Sequence, residues 1–266
     1  MNALTIRDIR DMKGGQKIAA VTAYDHPSAL LADGAGMDIV LVGDSLGTVV
    51  QGHATTLPVT MEQMIYHTAM VSRAIRRALV VGDMPFMSYQ QGTTAALENA
   101  GRFLTQGGAA AVKLEGGGTA ARERIRALVE AGIPVMGHLG LTPQSVHAMG
   151  GYRVQGRQQA DAERILDEAR ALEQAGVFSM ILEGIPEKLG KAVTEAVAVP
   201  TVGIGAGVHC DGQILVWHDL LGLGEGRHPK FVKPYAHLAR TAKRALKAYA
   251  ADVRQGAFPG PEQTYN

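Results

Sequence analysis

Eight short runs of apolar and β-branched residues recur along the chain, with Ala/Leu/Glu/Arg segments of helical spacing between them. The runs cover residues 18–23, 38–42, 78–82, 110–114, 134–137, 179–182, 200–204 and 214–217, and they are too continuous for half-exposed antiparallel strands. Helical spacing falls on 28–35, 60–77, 93–106, 119–131, 161–175 and 188–198, and several of these segments close on Gly, as in DGAG, TQGG and QAG. Buried strands alternating with helices over 266 residues predict an α/β protein, a (β/α)8 TIM barrel, as one domain over residues 1–266. An open doubly wound sheet is the alternative. It lacks support because no GxGxxG follows the first strand, and GIGAG at 203–207 comes late and has the wrong spacing. Thr5 and Asp8 are placed to cap a short N-terminal helix, 234–253 reads as a closing helix, and 258–266 as an extended tail.

Composition excludes several classes. Lys plus Arg is 26 and Asp plus Glu is 25, so there is no basic footprint for nucleic acid or an anionic membrane. A single cysteine, Cys210, rules out an intrachain disulfide framework and suits the cytoplasm. Arg7, Asp8, Arg10 and Asp11 interrupt the only stretch that resembles a signal core, so neither a signal nor a membrane span is expected. GxxxxGK[ST] and HExxH are both missing, which weighs against P-loop nucleotidases and zinc peptidases.

A parallel barrel places its chemistry at the C-terminal ends of the strands. There the sequence sets Asp44 and Ser45 after the second run, Asp83 after the third, Lys113 and Glu115 at the fourth, His138 at the fifth and Glu183 at the sixth, with Asp25 after the first. One Asp at a strand end is commonly a turn or helix cap. A set of converging carboxylates repels unless a hard cation or a lysine neutralises it. Lys113 in AAAVKLEG shares a strand face with Glu115, where an ammonium needs an anionic partner. All-oxygen ligation by Asp44, Asp83 and Glu115 suits Mg2+, with Mn2+ as an alternative. Such a site fits a 2-oxo acid whose neighbouring carbon is deprotonated, and Glu183, on a different strand from the ligands, is the expected base. His138 reads equally as a pocket or a supporting residue, and His53, His67, His209 and His218 read as structural.

Longer stretches resemble the ketopantoate hydroxymethyltransferase family over nearly the whole chain. They are VTAYDHPSA at 21–29, LVGDSLGTVVQGHATTLPVTMEQMIYHTAMV at 41–71, VGDMPFMSYQ at 81–90, AVKLEGG at 111–117, PVMGHLGLTPQS at 134–145, ILEGIP at 181–186 and GIGAGVHCDGQILVWHDLLG at 203–222. The resemblance implies Mg2+-dependent transfer of a one-carbon unit from 5,10-methylenetetrahydrofolate to 3-methyl-2-oxobutanoate, giving 2-dehydropantoate for pantothenate synthesis. It implies Asp44 and Asp83 as metal ligands, with Glu115 as a third, either direct or through water, and one Mg2+ per subunit. Asp44, Ser45, Asp83, Lys113 and His138 would lie on the oxo acid, and Glu183 would accept its C3 proton. A TIM barrel, a cytoplasmic location and a homodecamer are implied with it. Two other readings remain open: a Mg2+-dependent lyase or mutase of the phosphoenolpyruvate mutase/isocitrate lyase type, and a non-catalytic oligomeric scaffold. The first usually carries a reactive loop cysteine, whereas Cys210 stands in GVHCDGQ after the seventh run.

Overall fold

In a computed structural model, which describes residues 3–224 and 229–265, the alternation of strands and helices closes into a barrel. The chain divides into two compact units, Met1–Trp217 and His218–Asn266. The first unit opens with α1 (Ile6–Asp11) and holds β1 (Ile18–Thr22), β2 (Ile39–Val42), β3 (Leu79–Asp83), β4 (Ala111–Glu115), β5 (Val135–Gly140), β6 (Ser179–Glu183), β7 (Thr201–Ile204) and β8 (Gly212–Leu215). The strands pair in parallel in chain order, and β8 returns to β1 with Gly212 opposite Ile18. The connections carry α2 (His26–Gly34), a short α3 (Leu46–Val49), α4 (Met61–Ala74), α5 (Thr93–Thr105), α6 (Thr119–Glu130), α7 (Gln159–Gln174) and α8 (Glu187–Ala196).

Side chains alternate across a strand, so every second residue points into the barrel. The lower layers are apolar: Ile18, Ala20, Ile39, Leu41, Leu79, Val81, Met136, Ile181, Val202 and Ile214 form one buried cluster. At the N-terminal end α1 plugs the barrel. The Thr5–Asp8 capping box starts the helix, and Ile9 joins the core with no exposed surface. Continuing the same parity upward brings Asp83, Lys113, Glu115, His138 and Glu183 to the inner face at the C-terminal end. With the other end filled by hydrocarbon, the polar layer has only the upper mouth to occupy.

Two glycines let backbones approach where a side chain would not fit. A Cβ on Gly82 would fall inside the Phe103 ring, so α5 lies directly on β3. Gly140 has φ +93°, and a Cβ there would strike the Glu183 carbonyl; in its absence the Leu141 N–H donates to that carbonyl at 2.8 Å.

Most expected elements form within a few residues of their predicted ends. The eighth strand lies two residues earlier than its apolar run, because pairing with Ile18–Val21 sets its register at Gly212–Leu215. Its expected last residue, Trp217, instead begins α9 (Trp217–Leu221). The helix expected over 60–77 stops at Ala74: Ile75 is extended, and the N–H groups of Arg76, Arg77 and Ala78 donate to Asp33 instead of continuing the helix. In the second unit the closing helix is α10 (Leu238–Arg254). The tail, expected to be extended, contains a 3-10 turn at Pro261–Gln263, and its last residue, Asn266, lies outside the described residues. Among the described residues no helix is long and apolar enough to cross a membrane.

Candidate active site

All seven residues singled out from the strand ends, Asp44, Ser45, Asp83, Lys113, Glu115, His138 and Glu183, line one cavity of about 530 Å3 including its open mouth. Asp25, the remaining strand-end acid, instead caps α2 by accepting from the Ser28 N–H. Parallel register places the chemistry: Asp83 lies opposite Lys113, and Glu115 opposite His138. Lys113 Nζ donates to Asp83 Oδ1 at 2.7 Å and stands 3.5 Å from Glu115 Oε1. The Asp44 N–H donates to Asp83 Oδ2 at 3.1 Å, so the turn after β2 is tied to β3. Ser45 Oγ lies 2.8 Å from the Tyr24 hydroxyl. His138 stands between two carboxylates, with Nδ1 3.3 Å from Glu115 Oε1 and Nε2 3.3 Å from Glu183 Oε2.

Burial separates the roles. The side chains of Asp83, Lys113, Glu115 and His138 are 2–4% exposed, whereas Glu183 is 17% exposed. Glu183 is therefore the carboxylate within reach of a molecule entering the cavity. Burial and the neighbouring Asp83 charge hold the Asp44 carboxyl well above its ordinary range, against the pull of Lys113. Burial opposes ionisation of Glu115 too, but there Lys113 and His138 prevail and its pKa falls. For His138, burial and the Lys113 charge disfavour the imidazolium; Glu115 and Glu183 outweigh them and raise its pKa to about 9.

A raised folded-state pKa has a defined sign. Protonated His138 contributes stability that is complete below the ordinary value of 6.5 and disappears as pH climbs through about 9. Thermal melts of the wild type should fall over that window, and His138→Gln should flatten the fall. Parallel curves for the two proteins would show that His138 does not carry this charge.

The donor set fits a hard divalent cation. Four carboxylates face one ammonium and one imidazolium, leaving two negative charges when all are ionised. Glu115 Oε1 and both His138 ring nitrogens are buried and make no aligned hydrogen bond. Among the described residues no three His, Cys, Asp or Glu side chains form a preformed metal cage, since Glu115 turns toward Lys113 and His138. Asp44 and Asp83, joined through a backbone N–H, are the carboxylates that could hold such an ion.

Two residues of the site were not anticipated from the sequence. Tyr89 and Gln144 are 3% and 5% exposed, and both hydrogen-bond into the carboxylate cluster. Both lie in loops, where strand periodicity carries no information, so the long motifs containing them were the only signal.

The model of the family described as ketopantoate hydroxymethyltransferase matches residues 3–261. The chain belongs to the ketopantoate hydroxymethyltransferase family. It is 54% identical over 266 residues to the 3-methyl-2-oxobutanoate hydroxymethyltransferase of Carboxydothermus hydrogenoformans, covering 100% of this chain and 96% of that one. It is 56% identical over 263 residues to the protein of the same name from Moorella thermoacetica, covering 98% and 97%. Among solved structures, a 2,3-dimethylmalate lyase of the phosphoenolpyruvate mutase/isocitrate lyase superfamily superposes with a TM-score of 0.61 at 19% identity, covering 98% of this chain and 91% of that chain. At that identity the likeness concerns the barrel alone. Membership in the hydroxymethyltransferase family makes the chain a transferase and sets aside the lyase and scaffold readings.

Proposed function

We propose that this chain transfers a hydroxymethyl group from 5,10-methylenetetrahydrofolate to 3-methyl-2-oxobutanoate, releasing 2-dehydropantoate and tetrahydrofolate for pantothenate synthesis. The folate's methylene carbon becomes the new CH2OH, water supplies the hydroxyl oxygen, and the two folate nitrogens that held the methylene each end as N–H, taking up one proton equivalent to that lost from C3 and one from water. Besides family membership, the observation that carries this reading is the position of Glu183. It is the most accessible carboxylate of a buried acidic cluster and is held 3.3 Å from His138.

Asp44 and Asp83 would hold one Mg2+ ion, with Glu115 behind them, and the ion would withdraw electrons from the keto group and so acidify C3. Lys113 faces the anionic substrate from within the cluster, and Ser45, fixed by Tyr24, offers its hydroxyl to the oxo acid. Glu183 takes the C3 proton, and His138 holds the Glu183 carboxylate toward the cavity from behind. Ile181, Ile204 and Ile214 line the same cavity and suit the branched, apolar end of 3-methyl-2-oxobutanoate. The same reading makes the protein a cytoplasmic homodecamer that engages no nucleic acid.

The test is incubation of the purified protein with both substrates and Mg2+, with and without chelator, followed by mass spectrometry of the acid. Chelator-sensitive 2-dehydropantoate is expected; no product from a folded, metal-loaded sample would overturn the reading. Asp83→Ala should weaken Mg2+ and oxo-acid binding together, and calorimetry showing unaltered Mg2+ binding would remove Asp83 as a ligand.

A further inference from the structure

We infer that Gln144 is a positioning residue that aims the Asp44 and Glu115 carboxylates, and that Tyr89 sets Gln144 for this role. The inference rests on the reading of Asp44 and Glu115 as the acidic part of the site. Gln144 lies in the 3-10 turn Pro143–Ser145 that follows β5, yet it reaches across the mouth to residues from three other strands. Its Nε2 donates to Asp44 Oδ2 at 3.0 Å and to the Met84 carbonyl at 2.9 Å, while its backbone N–H donates to Glu115 Oε2 at 3.1 Å. A single loop residue thus ties the ends of β2, β3 and β4 to that of β5.

The chemistry of the partners fixes the orientation of the amide. The Met84 carbonyl can only accept, so the NH2 group must face it. On the other side the Glu115 N–H can only donate, at 3.3 Å to the Tyr89 oxygen. The single Tyr89 proton is therefore free to go to Gln144 Oε1 at 2.7 Å. A flipped amide would set its oxygen against the Asp44 carboxylate and the Met84 carbonyl, three acceptors in contact, in a place where burial makes such a clash costly.

An uncharged donor suits this position. A lysine or arginine would orient Asp44 as well, but would neutralise the charge that the site needs for a divalent cation and an oxo acid. Gln144 restrains the carboxylate and leaves its charge available.

The test compares wild type, Gln144→Leu, Tyr89→Phe and the double variant. Readouts are Mn2+ affinity, from the free-ion electron paramagnetic resonance signal, and kcat and KM for the oxo acid, with circular dichroism melts as the check on folding. Gln144→Leu should weaken Mn2+ binding roughly 10- to 100-fold, the usual cost of losing a residue that orients a ligand, with KM for the oxo acid rising in parallel. Tyr89→Phe should move both in the same direction by less. The Tyr89 hydroxyl reaches the carboxylate groups through Gln144, its other contact being the backbone N–H of Glu115, so the double variant should lie within roughly twofold of Gln144→Leu instead of showing the product of the two effects. Should Gln144→Leu fold poorly, Tyr89→Phe, which deletes one oxygen, carries the comparison with wild type. A wild type that binds no Mn2+, folded variants with wild-type Mn2+ affinity, or effects that multiply would each overturn the inference. The metal readout needs no turnover, so a wild type that binds Mn2+ but makes no 2-dehydropantoate would sink the functional proposal and leave this one standing.

Discussion

Glu183→Gln should lower kcat roughly 10²- to 10⁴-fold, the range for loss of a general base, while Mg2+ affinity stays near wild type. The amide keeps the size and packing of the carboxylate but cannot accept a proton. The proposed metal ligands Asp44, just after β2, and Asp83, at the end of β3, are tied together by the Asp44 N–H, and Glu183 is placed by β6, linked to them through His138, Glu115 and Lys113. Steady-state kinetics together with metal titration by calorimetry separates the two effects. A wild-type kcat would remove Glu183 as the base; a large loss of metal affinity would show instead that it belongs to the metal site. Exchange of the C3 proton of 3-methyl-2-oxobutanoate with deuterated water, followed by NMR without folate, isolates the proton-transfer step. That exchange should slow with kcat.

Lys113→Met should produce the largest loss of stability at the site. The Lys113 ammonium is buried against Asp83 and Glu115, and although burial disfavours its charge, Asp83, Glu115 and Asp44 keep its pKa raised. Methionine fills the same volume but leaves those carboxylates facing one another. Removing one partner of a buried pair costs about 3–5 kcal/mol, more than the pair itself contributes over a hydrophobic replacement. For a chain of this size that corresponds to a fall of roughly 10 °C in Tm. The deficit should be greater at pH 8 than at pH 5: without the ammonium the carboxylates take up protons more readily in the folded protein, and protonation relieves their repulsion. Thermal melts of both proteins at the two pH values test this. Equal Tm values, or a deficit independent of pH, would mean that Lys113 does not neutralise the cluster.

Much of this was legible in the chain because strand parity is a local property. Lys113 and Glu115 are two residues apart on an apolar strand, so both must face inward, and a lysine among valines and leucines announces an anionic partner. Asp83 and Glu183 end their strands and are found by the same counting. Motif resemblance, not periodicity, supplied the folate and the identity of the oxo acid. Asp25 shows the limit of strand-end reasoning: its carboxylate is occupied as a helix cap, in a capping box with Ser28 that counting strand ends does not register.

The sequence by itself determined the barrel, the end at which its polar layer gathers and most of the charged residues in that layer, because hydrophobic period and strand order are written along the chain. Only the tertiary structure decided the register of β8, which depends on closure against β1 about 190 residues earlier. The tertiary structure alone also placed His138 between Glu115 and Glu183, and joined Tyr89, Gln144, Asp44 and Glu115 into one hydrogen-bonded network. Those contacts link strand ends and loops that are far apart in sequence, and their geometry follows from how eight strands stagger around a common axis, which no local pattern encodes.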